Sequence, residues 1–322
     1  MKLSILKCHG SGNDFVLIDE TLESNSNILH SQRADLTRTI CNRENGVGAD
    51  GILFYQSSKV ADCKMRMFNP DGGEAEMCGN GLRCVGRYCS ERQMKSNVAV
   101  ETMKSILNVK RGAQIYNGIE TFEADIGPVS THPGTLPMSV DSESFIGKVI
   151  DELSPELEFT ALTVPNPHII TIVDEIDEAL VQNCGYRANN SRLFPKGVNV
   201  SFVTSLGNNI IYVVTYERGV GITYSCGTAM SASAYVSVLR GITKAETEIS
   251  VFNKGGMVKC DVKIQQGENI ILKGNATFVF EAELQIGSQC KKMERQFDSK
   301  VRTDEISAYG ALQEYAESVL KK

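Results

Sequence analysis

Arg66-Met67-Phe68-Asn69-Pro70-Asp71-Gly72-Gly73 leads within a few residues to Cys78-Gly79-Asn80-Gly81. Val214-Thr215-Tyr216-Glu217-Arg218-Gly219-Val220-Gly221 leads in the same way to Cys226-Gly227-Thr228-Ala229. Asn69 stands nine positions before Cys78, and Glu217 nine before Cys226. Gly73 and Gly221 each stand five before their cysteine. Further out, Gly48-Ala49-Asp50-Gly51 begins 30 residues before Cys78, and Gly197-Val198-Asn199 begins 29 before Cys226. Beyond these, His9-Gly10-Ser11-Gly12-Asn13-Asp14-Phe15 is matched by Val164-Pro165-Asn166-Pro167-His168-Ile169; Asn13 precedes Cys78 by 65 and Asn166 precedes Cys226 by 60. Three landmarks in one order at similar spacing mark an internal duplication.

The local patterns of the two copies agree. Residues 63–68 and 211–216 are short apolar or β-branched runs that end at turn residues, and they are expected to be strands. After Cys78, Leu82, Val85 and Cys89 recur at helical spacing. After Cys226, Met230, Ala234 and Val238 recur four apart in a run of small residues. Each cysteine is therefore expected at a glycine-rich helix entrance. The small side chains of the second helix suggest that other backbone encloses it closely.

The whole chain sets the context. Its 322 residues are long for one core and comfortable for two domains. A net charge of −6 without Lys/Arg runs gives no case for nucleic acid. No apolar run approaches the roughly 20 residues that span a bilayer, and no segment reads as a targeting signal, so a cytoplasmic protein is expected. The ten cysteines include no Cys-x-x-Cys. In a large chain of this kind reduced thiols are the default, and most are expected to be small buried hydrophobes. The spacing of Cys78, Cys84 and Cys89 does not suit a metal knuckle, and no metal is expected.

A helix N-terminus offers unpaired N–H groups and a positive partial charge, so it can hold a carboxylate and favour a thiolate. One such cysteine would suggest a nucleophile. Two on duplicated halves suggest a thiol on each face of one α-carbon, one removing the proton and the other delivering one. That is epimerisation of an amino acid, with each wall of the cleft drawn from a different domain and closure on substrate expected. A redox dithiol pair is the competing reading, although such pairs usually come as Cys-x-x-Cys.

At these residues the sequence resembles the diaminopimelate epimerase family over about residues 1–285. The resemblance implies an α/β (α+β) fold of two pseudo-symmetric domains, each a curved, mostly antiparallel sheet around a central helix. It implies interconversion of LL- and meso-diaminopimelate in lysine and peptidoglycan precursor synthesis, without cofactor or metal. Carried across position by position, Cys78 and Cys226 resemble the acid/base pair. Gly79, Asn80, Gly227 and Thr228 resemble the α-carboxylate cradle, and Asn69, Asn199 and Arg218 the grip on the distal carboxylate. Asn13, Asn166 and Glu217 would receive ammonium groups, and His168 would tune the thiols. Taken singly these types are ambiguous: asparagine before glycine or proline is a common turn residue, and Glu217-Arg218 could be a solvated pair. Asp50 reads as a turn residue rather than a catalytic one.

The chain departs from the family pattern at Pro165, at Ala229 and at Lys273-Gly274-Asn275-Ala276, where Thr-Gly-Pro-Ala is typical. A racemase of another amino acid on the same scaffold is therefore the alternative, and a non-enzymatic thiol module the remote one. The expected domains are 1–125 with 269–286, and 126–268. Residues 287–322 form an extension, with a charged linker over 291–303 and a helix from 304 whose apolar stripe is Ile306, Tyr309, Leu312, Ala316 and Leu320. The partner implied is a small amino acid, with no nucleic acid and no membrane; a homodimer stays open.

Overall fold

The computed structural model describes all residues except 76, 265–268, 288–289, 291 and 322, with the backbone alone for 295–299. Two compact units divide the chain: Met1–Ala124 with Gly274–Leu312, and Asp125–Lys273 with Gln313–Lys322.

The first unit contains β1 (Lys2–Gly10), β2 (Asn13–Asp19), α1 (Arg33–Cys41), β3 (Gly51–Gln56), β4 (Cys63–Phe68), β5 (Glu74–Ala75), α2 (Gly79–Gln93), β6 (Asn97–Glu101), β7 (Ile106–Arg111) and β8 (Thr121–Ile126), the last running just past its boundary. β1 pairs antiparallel with β2, β2 parallel with β3, and β3 antiparallel with β4. β4 pairs antiparallel with β5 and parallel with β6, and β6, β7 and β8 follow antiparallel.

The second unit contains β9 (Lys148–Ile150), β10 (Ser154–Val164), β11 (Asn166–Ile172), α3 (Glu178–Asn190), β12 (Asn199–Gly207), β13 (Ile210–Glu217), β14 (Gly221–Thr223), α4 (Gly227–Leu239), β15 (Ile249–Asn253), β16 (Gly256–Lys263) and β17 (Asn269–Asn275), whose last two residues belong to the first unit. Its pairing has the same signs in the same order. β10–β11 is antiparallel, β11–β12 parallel, β12–β13 and β13–β14 antiparallel, β13–β15 parallel, and β15–β16–β17 antiparallel. The parallel steps arise where a helix or helix-containing crossover intervenes, which a hairpin turn cannot achieve. The duplicated sequence is thus a duplicated topology.

Each unit has an outer helix on one face of the sheet and an enclosed helix on the other. In the first, Leu36 and Ile40 of α1 pack on Val16, Ile18, Ile52 and Phe54. In the second, Val181, Cys184 and Ala188 of α3 pack on Ala161, Ile169, Val200 and Phe202. The enclosed helices are α2 and α4. All residues of α4 from Gly227 to Ser237 are buried, which explains its small side chains. In α2, Gly86 lies so close to β7 that a Cβ there would collide with Val109. Glycine is required at that approach despite its cost inside a helix.

The chain continues with β18 (Thr277–Ile286), β19 (Met293–Val301) and α5 (Thr303–Leu320). β18 pairs antiparallel with β1 and with β19. Over its described part the expected linker is therefore largely strand; Lys291 lies outside the described residues. Its charged composition suits an edge strand, where charge discourages further pairing. The stripe of α5 also begins later than its spacing suggested: Ile306 is exposed, whereas Tyr309, Leu312 and Ala316 are buried.

Candidate active site

In the first unit the site is built where β1, β2 and α2 meet. Cys78 is the N-cap of α2, in extended conformation, and its sulfur accepts the Gly81 N–H at 3.3 Å. The β1–β2 turn, with Ser11 and Gly12 at positive φ, brings Asn13 alongside. Cys78 Sγ lies 3.9 Å from Asn13 Oδ1, to which Asn80 Nδ2 donates at 3.3 Å. The structure thus gathers Cys78, Asn13, Gly79 and Asn80 at one helix entrance. Asn69 sits at the end of β4, where its backbone closes a turn by bonding Gly72 and Gly73.

The orientation of Asn13 is set from beneath. Its Nδ2 donates to Asp50 Oδ2 at 2.8 Å, which leaves Oδ1 turned toward the thiol. Arg43 donates to both Asp50 and Asp14, and Lys7 donates to Asp14. Burial would raise the Asp14 pKa, but hydrogen bonds from Arg43 and Lys7, with the Lys7 charge, hold it well below the usual range. Asp50, expected only to shape a turn, is therefore a partner of a site residue.

Arg83 is the functional-looking residue that the sequence reading passed over. It is fully buried in α2 and donates to Asn80 Oδ1 (3.0 Å), Gly79 O (3.4 Å), Ser11 Oγ (3.2 Å) and Asn275 O (3.1 Å). A Cβ at Gly10 would stand 3.0 Å from its guanidinium, so glycine clears the space. The available signal was two arginines four apart, Arg83 and Arg87, in a helix otherwise rich in small and apolar residues.

In the second unit the corresponding place is the entrance of α4. Cys226 is the N-cap, with its sulfur 3.4 Å from Thr228 Oγ1. Burial pushes the Cys226 thiol well up, and the nearby Glu217 carboxylate pushes it further; Thr228 and the Ala229 N–H act in the opposite direction. Glu217 accepts a hydrogen bond from Thr223 Oγ1. Asn199 Oδ1 accepts the Arg218 backbone N–H at 3.0 Å, and the Arg218 guanidinium donates to Lys196 O at 3.1 Å.

His168 stands opposite Asn199 across the parallel β11–β12 pair and is fully buried. Its Nε2 is 2.9 Å from Asn166 Oδ1, while Nδ1 is buried without a hydrogen-bond partner. Burial, with the Arg218 charge next, lowers its pKa to about 3, so the ring is neutral. A proton on Nε2 satisfies Asn166 and leaves only a lone pair unmatched. Among the described residues no cluster of three or more His, Cys, Asp or Glu side chains is arranged to hold a metal. Among the described residues no helix is long and apolar enough to cross a membrane.

Comparison with solved structures defines the class. A Bacillus anthracis phenazine biosynthesis protein of the PhzF family superposes with a TM-score of 0.64 at 16% identity, over 89% of this chain and all of that one. A probable proline racemase from Agrobacterium radiobacter gives 0.61 at 14% identity, over 90% of this chain and 96% of that one. The fold is the duplicated α/β fold that these proteins share. The family model for diaminopimelate epimerase matches residues 5–126 and 160–279. A diaminopimelate epimerase of Clostridium acetobutylicum is 44% identical over 319 residues, 98% of this chain and 95% of the relative. One from Ligilactobacillus salivarius is 41% identical over 96% of this chain and 98% of its own. The chain belongs to the diaminopimelate epimerase family and is an isomerase.

Proposed function

We propose that this protein interconverts LL- and meso-diaminopimelate by moving a proton at one α-carbon between Cys78 and Cys226. One thiolate takes the α-proton while the opposite thiol gives one, so the centre inverts and the two sulfurs exchange protonation states. The observation that carries this reading is the repetition itself: in both units a cysteine caps an enclosed helix that follows the same sequence of strand pairings. The α-proton of an amino acid is weakly acidic, so the transition state needs help. The two helix entrances and their oriented N–H groups supply it, acting on the α-carboxylate. The step calls on no cofactor or metal. Buried Cys226 rests as the thiol, ready to donate.

The remaining residues divide the substrate between them. Gly79, Asn80, Gly227 and Thr228 cradle the α-carboxylate. Arg218, with a planar fork suited to a carboxylate, holds the distal one with Asn69 and Asn199. Asn199 suits this because its Oδ1 is already engaged by the Arg218 backbone, leaving its amide N–H groups to donate. Asn13 offers an oxygen and Glu217 a carboxylate to the ammonium groups. Asn166 departs from its expected ammonium role: with its oxygen turned to His168 it presents an NH2 group, which fits a carboxylate. His168 acts by holding Asn166. The reaction serves lysine and cell-wall precursor synthesis in the cytoplasm.

The test is conversion of LL-diaminopimelate to the meso form by the reduced protein, followed by chiral separation, with proline, hydroxyproline, glutamate and alanine alongside. Conversion of diaminopimelate alone is expected. Racemisation of another amino acid with diaminopimelate untouched would move the substrate while retaining the chemistry. No conversion of any of them by folded, reduced protein would reject the reading.

A further inference from the structure

The family match ends at residue 279, yet α5, some two dozen residues further on, reaches the Cys78 half-site at two points. The first point is α2 itself. Arg87, buried on α2, receives Glu305 of α5 in a two-pronged ion pair, with Nη2 to Oε1 at 2.8 Å and Nη1 to Oε2. The same Glu305 accepts the Phe278 backbone N–H at 2.9 Å, and Arg87 donates to Ala276 O at 2.6 Å while its guanidinium lies 3.9 Å over the Phe278 ring. A planar, doubly bonded pair fixes direction as well as distance.

The second point is the β1–β2 turn. Buried Tyr309 of α5 meets the His9 ring edge-on, with centroids 4.3 Å apart. Burial lowers the His9 pKa to about 4, so its ring is neutral and Nδ1 can accept. Nδ1 takes the Gly12 N–H at 3.4 Å and Asn275 Nδ2 at 3.3 Å. Gly12 directly precedes Asn13, whose Oδ1 lies beside the Cys78 sulfur. Asn275 Oδ1 accepts the Ser11 N–H at 2.7 Å, and Ser11 is tied through Arg83 to Asn80. Asn275 is one of the positions where the chain departs from the family pattern. A connected set of side chains therefore leads from α5 to the thiol.

We propose that α5, through Glu305 and Tyr309, positions the Cys78 half-site: Glu305 sets α2 and Tyr309 sets the turn that carries Asn13. Both are positioning residues, acting through Arg87 and His9, and the proposal rests on the epimerase reading for its kinetic readout. Displacing a reacting group by about 1 Å can cost about 100-fold in rate, so a helix outside the site has leverage over it.

The experiment compares the full-length protein with Tyr309→Ala, Tyr309→Phe and Glu305→Gln, and with Glu314→Gln on the exposed side of α5 as control. Two quantities are read: kcat and KM for epimerisation, and the iodoacetamide alkylation rates of Cys78 and Cys226 by peptide mapping. Tyr309→Ala and Glu305→Gln are expected to lower kcat by about 10- to 100-fold with a smaller change in KM. Both should alter alkylation of Cys78 without altering that of Cys226. Tyr309→Phe keeps the ring on His9 and should recover most of the rate, and Glu314→Gln should match wild type. Glu305→Gln is nearly isosteric and carries the test if Tyr309→Ala does not fold. A kcat within about two-fold of wild type in folded Tyr309→Ala and Glu305→Gln, or equal changes at both cysteines, would overturn the proposal. If wild type does not epimerise diaminopimelate, the epimerase reading fails, and the alkylation ratio still decides whether α5 sets the place of Cys78.

Discussion

The two half-sites share a backbone plan and differ in what lies beneath their asparagines. Asn13 rests on a carboxylate: Asp50 takes its amide N–H, and Arg43, Asp14 and Lys7 surround that carboxylate with paired charge. Asn166 rests on a neutral imidazole, buried and without compensating charge. The first support accepts a hydrogen bond, so Asn13 shows its oxygen. The second donates one, so Asn166 shows its nitrogen. The thiols differ in the same spirit, since Cys78 is half-buried whereas Cys226 is buried next to Glu217. The duplicated scaffold thus turns its two asparagines in opposite senses, one held by Asp50 and the other by His168.

The largest expected effect treats the two halves as equals. Cys78→Ala and Cys226→Ala should each lower kcat for epimerisation by about 100- to 10,000-fold, the range for losing a positioned acid or base. A large loss in one and a small loss in the other, measured by chiral separation of products, would break the equivalence. Next comes the distal grip, whose one charged member, Arg218, we assign to the second half. Arg218→Lys keeps the charge and loses the fork, and kcat/KM should fall by about 10- to 100-fold, as expected for hydrogen bonds to a charged group. A loss of that size for diaminopimelate would support the assignment, and an unchanged kcat/KM would remove it.

Smaller effects sharpen the contrast between the supports. Asp50→Asn can turn an N–H toward Asn13 and release its orientation, so kcat should fall by about ten-fold, the worth of one redirected hydrogen bond. Full activity in this variant would show that Asn13 does not depend on Asp50. His168→Gln tests the other support through pH. The folded His168 takes up a proton only near pH 3, whereas the unfolded chain does so near 6.5, so stability falls as pH drops through that window. Each such histidine contributes a slope of up to roughly 1.4 kcal/mol per pH unit, and His9, with a pKa near 4, adds a second. Urea unfolding at pH 6.5 and 5.0 should show a shallower fall for His168→Gln; an unchanged fall would mean that this ring is protonated in the fold.

Much of this was legible in the sequence because the duplication was. The spacing of Asn69 to Cys78 and of Glu217 to Cys226 marks equivalent places at the ends of β4 and β13, and the small residues after Cys226 reflect a helix buried from Gly227 to Ser237. Asp50 and Arg83 were not legible. Their roles depend on which groups face them across strands far apart in sequence, and an aspartate before glycine looks the same whether it shapes a turn or holds an asparagine. The stretch before α5 misled for a related reason. Charge and scarce apolar residues suggest a linker, but an edge strand such as β19 needs only one partner and tolerates that composition.

The central claim is that two different sulfurs serve one carbon, and isotope placement at early times tests it most directly. Wild-type protein converts LL-diaminopimelate in D2O, and mass spectrometry follows both recovered substrate and new meso product over the first few per cent of reaction. The account predicts product carrying one deuterium from the outset and substrate still protonated, because the abstracted proton leaves on one thiol while the other delivers solvent deuterium. Product that retains the original proton, or substrate that gains deuterium as fast as product forms, would mean that one group serves both faces and would contradict the account.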